Sequence, residues 1–504
     1  MTAIATAQAV TAGETTATAV VEDAIAAAHQ PDSASSMIAV TDERARFQAA
    51  ASDRRARRGI RRSVLDGVPI VWKDLFDVQG TVTTRGSASH QHDEPAAVDS
   101  ELVRRAHDSG LVTVGKTNLS EFAFSGLGIN TCFGTPANPV DPELIPGGSS
   151  SGSAVAVARG LVALAVGTDT SGSVRVPAAL CGIVGFRASP GRYGPHDFAP
   201  LSPTLDSVGL FATTVADIAA LDGVLIPATH RAMHPLGRVA DDTQCVADKT
   251  QRVVDDTQRV ADDTRHVADG ARHAADNTPH AADNTQRAAA GALADLRRWP
   301  PPRFVVPTGE WTEDLAAPVA DAFATTIAQM RTAGADIEVR PVPSLDAAQR
   351  LMDEHGTIVG AEAYRLHSYR LTSTMPIEAA TRRRLRANAH TAGTIGPVYA
   401  AMPDLRAEFA AELGNAMLLC PTVRCLPPRI ADPQTDPDRY DSANSAVLRT
   451  TMVLSYLGSC GISVPTPSGA PGRAVLLSLP AGGDDALLAA AAWSEWALRP
   501  GLDR

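Results

Sequence analysis

Between Gly147 and Pro177 the chain spells Gly-Gly-Ser-Ser-Ser-Gly-Ser, an Ala/Val-rich run, and then Gly-Thr-Asp-Thr-Ser-Gly-Ser-Val-Arg-Val-Pro. Ser149 and Ser173 therefore each sit in a loop of small residues. Gly147, Gly148, Gly152, Gly167 and Gly172 let the backbone take conformations and close approaches that a side chain would block. Within the second loop, the successive N–H groups of Thr170, Ser171, Gly172 and Ser173 can converge on one point, as an oxyanion hole requires.

Serines used in catalysis need a base, and Gly67-Val-Pro-Ile-Val-Trp-Lys73-Asp74 offers one at the end of an apolar, strand-like run. Of 45 basic residues only Lys73, Lys116 and Lys249 are lysines. Arginine stays protonated at any working pH, whereas burial lowers lysine's reference pKa of about 10.4 by several units. A Ser-Ser-Lys relay follows. Ser173 attacks, Ser149 passes its proton to a neutral Lys73 and returns it to the departing nitrogen, and water resolves the acyl-enzyme.

Other chemistries fit the residues less well. Gly148-Ser149-Ser150-Ser151-Gly152 matches the nucleophile-elbow pattern G-x-S-x-G, but no downstream histidine among His196, His230, His355, His367 and His390 has a distinctive setting. A phosphate loop would need GxxxxGK[ST], which is absent. The six cysteines, at positions 132, 181, 245, 420, 425 and 460, form no CxxC pair or disulfide framework and read as buried thiols. No metal and no cofactor is expected.

The formal net charge of -11 gives no general attraction to nucleic acid or anionic membrane. Arg54 to Arg62 and Arg382 to Arg386 read as solvated helix faces. The N-terminus lacks a signal-peptide pattern, and no segment offers about 18 uninterrupted apolar residues, so a soluble, cytoplasmic protein is expected.

Residues 15–60 place apolar side chains at helical spacing and predict one or two helices, so residues 1–60 are taken as a helical segment packed on the core formed by 61–504. Short apolar or β-branched runs then mark strands: Val68 to Val71, Leu111 to Val114, Leu161 to Val166, Ile183 to Phe186, Arg303 to Val306, Ala416 to Cys420 and Gly461 to Val464. Between them lie Ala-rich helical stretches, including Ser153 to Gly160, Leu315 to Ala333 and Asp484 to Leu498. Strands interleaved with helices predict an α/β fold, a central mixed β-sheet covered on both faces by α-helices. From Arg238 to about Ala290 a heptad, Arg-Val-Ala-Asp-Asp-Thr-Gln, repeats with too thin an apolar stripe for a coiled coil, and this segment reads as a surface insertion.

The stretch from Pro146 through Phe186-Arg187 resembles the signature of the amidase signature family, and Gly67 to Asp74, Gly115-Lys-Thr-Asn-Leu-Ser-Glu-Phe-Ala, Asn138-Pro and Ser202-Pro-Thr-Leu-Asp-Ser-Val-Gly are similar too. The resemblance implies a Ser, cis-Ser, Lys triad on a mixed sheet surrounded by helices. By position it makes Ser173 the nucleophile, Ser149 the bridging serine with its cis peptide bond, and Lys73 the base. The N–H groups of Thr170, Ser171, Gly172 and Ser173 become the oxyanion hole. Asp169 and Arg175 are expected to pair and hold the loop, and Lys116 to be structural. Ser171 and Ser151 stand where the family commonly has glycine. The implied activity is hydrolysis of a small-molecule linear carboxamide. The alternatives are the glutaminase-type component of a glutamyl-tRNA amidotransferase and a ureido-amide hydrolase of carboxybiuret or allophanate type. The resemblance allows a homodimer and leaves the acyl pocket to Ser125–Cys132 and Tyr440–Thr451.

Overall fold

The computed structural model describes residues 1–195, 197–227 and 301–499. The heptad segment 238–290, with Cys245 and Lys249, lies outside them, as do His196 and His230. The described strands form one 11-stranded sheet in the order β1-β3-β2-β4-β6-β5-β10-β11-β9-β7-β8. In chain order these are β1 Met37–Val40, β2 Pro69–Lys73, β3 Val112–Thr117, β4 Leu164–Thr168, β5 Val184–Arg187, β6 Val208–Ala212, β7 Arg303–Pro307, β8 Asp336–Arg340, β9 Met417–Pro421, β10 Ser459–Pro465 and β11 Ala474–Pro480. Parallel pairs join β3, β2 and β4 on one side and β9, β7 and β8 on the other, with antiparallel pairs between, so the sheet is mixed as expected.

Every residue of β2, β3, β4, β5 and β6 is buried. A strand buried on both faces must be apolar at odd and even positions alike, which is why these read as continuous apolar runs rather than alternating ones. Ile70, Trp72, Val166 and Phe186 contribute to the large core cluster, while Val71, Val112, Val114, Ala165 and Phe211 pack with α5 (Ser151–Ala158) and the N-terminal helices. Among the described residues no helix is long and apolar enough to cross a membrane.

Residues 1–60 are not helical throughout. Helices α1 (Ala3–Ala12), α2 (Ala17–Ala28) and α3 (Asp42–Ala56) are present, but β1 lies between α2 and α3 and forms an edge of the sheet, antiparallel to β3. Four residues, Met-Ile-Ala-Val, carry no usable periodicity, and pairing with β3 decides their conformation. Threonine caps start the first two helices: Thr2 accepts from the Ala5 N–H (3.2 Å) and Thr16 from the Ala19 N–H (3.0 Å). Strands β6, β8 and β11 were not anticipated either, and β8, largely exposed at the other edge, is held by parallel pairing to β7. The Arg54–Arg62 cluster is only partly a solvated face, because Arg55 pairs with the fully buried Asp66 carboxylate at 2.6 Å. Cys132 is exposed, which corrects the reading of all the cysteines as buried thiols; Cys181, Cys420 and Cys460 are buried.

Trp72 anchors β2 immediately before Lys73. It is fully buried, packs edge-on against Phe76 at 5.6 Å between ring centroids, and donates its indole N–H to Thr113 Oγ1 at 3.2 Å. Trp72→Ala should cost about 3–5 kcal/mol of stability by leaving a cavity at the strand end. Urea denaturation of the two proteins checks this, with Trp72→Phe expected to lose much less.

Candidate active site

The predicted base stands at the C-terminal end of β2, beside the end of the parallel neighbour β4. Open α/β sheets bind their ligands outside such carboxyl ends, where loops leave the sheet together. Lys73 is fully buried, and its Nζ donates to Ser149 Oγ at 2.7 Å and to Thr168 Oγ1 at 2.9 Å. Both partners are neutral hydroxyls, so the burial of an ammonium there goes uncompensated by direct contact. Burial pulls the lysine down to about 7, although the carboxylates of Asp206 and Asp169 work against it. Lys116, by contrast, forms a 2.6 Å ion pair with Asp74 and donates to Val82 O (3.1 Å) and Thr83 Oγ1 (2.7 Å). That pairing commits Lys116 to holding the loop after β2.

Ser149 follows a cis Gly148–Ser149 peptide bond and precedes α5. The Ser150 N–H donates to the carbonyl of Ser173 at 3.2 Å, tying the two serine loops to each other. The middle serine of the elbow-like pattern, Ser150, donates its hydroxyl to Thr168 O at 3.2 Å. No strand runs into this turn, since β3 ends at Thr117 and α5 begins at Ser151, so the geometry is not that of a nucleophile elbow.

Asp169 organises the Ser173 loop from inside it. Its Oδ1 accepts from the Gly172 N–H (2.8 Å) and Arg175 NH2 (2.8 Å), and its Oδ2 from Arg175 Nε (3.0 Å) and the N–H groups of Val174 (3.1 Å) and Arg175 (3.3 Å). Arg187 Nε lies 3.3 Å from Oδ1. Burial would raise this carboxyl, but Arg175 foremost and then Arg187 overcome it and hold it at about 2. Arg175, itself fully buried, continues to Ser455 Oγ (2.7 Å) and Thr451 O (3.2 Å) on the helix Pro437–Tyr456. At the other end of the loop Thr170 Oγ1 donates to Asp206 Oδ1 at 2.6 Å.

One expectation needs correction here. The Gly172 N–H, expected to meet an oxyanion, instead donates to Asp169 Oδ1 at 2.8 Å. Gly172 matters instead through its backbone: φ is +133°, and a Cβ would lie 2.1 Å from Thr451 Oγ1.

A cleft with about 380 Å³ of atom-free space, mouth included, opens over Ser171 and Ser173. Ala123, Phe124, Ser125, Leu448 and Met452 line it, close to the two regions expected to form the acyl pocket. Leu201, Thr357, Val359, Gly360, Arg384 and Asn388 line it too, and nothing in their sequence contexts marked them. Arg384 thereby departs from the solvated-face reading of Arg382–Arg386. Thr168, Arg187 and Asp206 were also missed as supports, although all three lie inside motifs that stood out in the sequence. Thr451, at the end of an expected pocket region, and Ser455 were not expected as supports of the Ser173 loop, being about 280 residues from Arg175 along the chain. Among the described residues no group of three or more His, Cys, Asp or Glu side chains is placed to hold a metal ion.

Residues 19–254 match the family model described as Amidase. The A component of the glutamyl-tRNA(Gln) amidotransferase of Anaeromyxobacter sp. (strain K) is 42% identical over 205 residues, 41% of this chain; the match spans 42% of that component's length. The 2-amino-5-chloromuconic acid deaminase of Comamonas testosteroni is 29% identical over 434 residues, covering 84% of this chain and 79% of that protein. Among solved structures, one described as a crystal structure of amidase superposes with a TM-score of 0.76 at 25% identity, covering 99% of this chain and 100% of the other.

Asp169→Asn should destabilise the protein by about 3–5 kcal/mol, because it leaves buried guanidinium groups without their counter-charge. Chemical denaturation at pH 7 measures the loss. The sign with pH follows from a carboxyl held near 2 against 3.8 when free: its contribution is complete above about 4 and disappears as the pH falls through 2. The stability difference between wild type and Asp169→Asn should shrink over that window.

Proposed function

We propose that the chain is a member of the amidase family and that it hydrolyses a linear carboxamide to a carboxylate and ammonia or an amine. The observation that carries this reading is Lys73: a fully buried amine pulled down to about 7, in contact with Ser149 at 2.7 Å, at the edge of the loop that bears Ser173.

In the proposed cycle Ser173 Oγ attacks the amide carbon while its proton passes to Ser149 Oγ, and the Ser149 proton passes to the lone pair of neutral Lys73. The tetrahedral oxyanion is met by the N–H groups of Thr170, Ser171 and Ser173. Collapse breaks the C–N bond, and the proton returns from Lys73 through Ser149 to the leaving nitrogen. Water then repeats the sequence on the acyl-enzyme, releasing the carboxylate and restoring Ser173. A base with a pKa near the working pH suits both directions of transfer. Neither metal nor cofactor is required by this scheme.

A second reading, the glutaminase-type component of an amidotransferase, is favoured by the 42% identity to such a component over 205 residues. It predicts stable co-purification with partner proteins and glutamine hydrolysis that rises in their presence. The simple amidase predicts turnover by the isolated chain.

Ser173→Ala should abolish ammonia release from primary amides, and retention of wild-type turnover by that variant would remove Ser173 from the chemistry. The kcat/KM profile should rise with pH through an apparent pKa near 7, since only neutral Lys73 can accept the proton. Lys73→Arg should be nearly inactive and lack that limb, because its guanidinium stays protonated throughout.

A further inference from the structure

The cleft holds a hydroxyl that the proposed cycle does not use. Of residues 170–173 it is Ser171 and Ser173 that line the cleft. Four other polar side chains on its wall already have protein partners. Ser125 Oγ accepts from the Tyr440 hydroxyl at 2.8 Å and Thr357 Oγ1 from the Gly360 N–H at 3.1 Å, while Asn388 donates to Arg384 O at 2.8 Å and Arg384 to the Phe124 carbonyl. Among the described residues neither Ser171 Oγ nor Ser173 Oγ has a hydrogen-bond partner.

Ser171 is held where it stands. Its carbonyl accepts from Thr451 Oγ1 at 2.6 Å, and the N–H across the same peptide bond, that of Gly172, donates to Asp169 Oδ1 at 2.8 Å. Arg175 joins the two clamps, reaching from Asp169 Oδ1 at 2.8 Å to Thr451 O at 3.2 Å. With the peptide fixed at both ends, rotation about the Ser171 Cα–Cβ bond is what aims the hydroxyl. One residue further on a side-chain donor has no room, because a Cβ at Gly172 would lie 2.1 Å from Thr451 Oγ1. The intermediate creates the demand. Once Ser173 Oγ has bonded to the amide carbon it carries no proton and cannot donate, and the Gly172 N–H is committed to Asp169. A serine hydroxyl can turn its proton toward the same acceptor that its own loop's N–H groups face.

We propose, resting on the amidase reading above, that the Ser171 hydroxyl donates a hydrogen bond to the oxyanion of the tetrahedral intermediate, beside the backbone N–H groups of its loop and in place of the Gly172 N–H. The hydroxyl keeps its proton throughout, and no covalent bond to it forms or breaks. Its bond strengthens as the carbonyl oxygen gains charge, so it lowers the barrier to attack more than it tightens the binding of the neutral amide. The clamp on both sides of peptide 171–172 makes this donor preorganised, which is what gives such a bond its value in catalysis.

The test measures ammonia release by the full chain from propionamide, benzamide and glutamine. Wild type, Ser171→Ala, Ser171→Gly and Ser173→Ala are compared. On the amide that wild type hydrolyses fastest, Ser171→Ala and Ser171→Gly should each lose about 100-fold in kcat while KM stays within about twofold. Equal losses in the two variants identify the hydroxyl as the missing group. A kcat within about threefold of wild type in either folded variant, or a loss carried by KM alone, overturns the proposal. Where Ser171→Ala fails to fold, Ser171→Gly carries the comparison. Phenylboronic acid supplies a second readout, because it forms a tetrahedral adduct on a nucleophilic serine. Its inhibition constant should rise by at least about tenfold without the hydroxyl, and an unchanged constant beside a lowered kcat would make Ser171 a support of the loop and overturn its role as a donor. The amidase reading fails separately, if none of the three amides gives turnover that Ser173→Ala abolishes.

Discussion

The buried carboxylate of Asp169 is the interaction on which the rest of the site depends. It sits one residue beyond β4 and answers two arginines, the three backbone N–H groups of Gly172, Val174 and Arg175 and, through the Arg175 side chain, the helix Pro437–Tyr456. Two guanidinium groups in a dry interior could not be tolerated without it, and it could not stay ionised without them. Their mutual satisfaction ties β4, β5 and the C-terminal half to the backbone of residues 169–175. The loop is therefore held from within, with Ser171 and Ser173 lining the cleft. Rigid support of this kind is what an oxyanion site needs, since donors that must reorganise during reaction lose much of their value.

Lys73 shows the opposite use of burial. Lys116, one strand over in register with Trp72, is given a carboxylate at 2.6 Å, while Lys73 is given two hydroxyls. The same apolar strand environment thus yields a structural ion pair at one lysine and an amine pulled down to about 7 at the other. Holding Lys73 this way sacrifices stability, because a buried amine near neutrality adds little favourable interaction. An amine held near 7 can both accept and return a proton at neutral pH, as the proposed cycle asks of it. Asp206 and Asp169 keep the lysine from falling further, so the carboxylates that hold the loop also tune Lys73.

The chain's two halves contributed differently to what could be read in advance. Lys73, Ser149, Ser173, Asp169 and Arg175 all lie between residues 67 and 187, within contiguous motifs of small and apolar residues whose demands are local: a strand end, a glycine conformation, a short loop. The central strands were legible for a similar reason, since full burial forces continuous apolar runs. Edge strands β1 and β8 were not, because a short run of mixed polarity becomes a strand only when a neighbour offers it hydrogen bonds. The heavily helical stretch from Pro343 to Tyr456 escaped in its details, and with it most of the cleft wall: Val359, Arg384 and Asn388 converge on Ser173 from helices whose sequences look like ordinary amphipathic surface.

By itself, the sequence determined the class of fold and placed Lys73, Ser149 and Ser173 in strand-end and small-residue loop contexts, because those are set by local residue types. Only the tertiary structure decided that Lys73 rather than Lys116 is left without a counter-charge, that Gly172 gives its N–H to Asp169, and that Arg384 faces a cleft instead of solvent. Each of these turns on which partner arrives from a distant part of the chain. A side chain's pKa, a donor's availability and a pocket's charge are properties of that meeting, and are not written in the local spacing of residues.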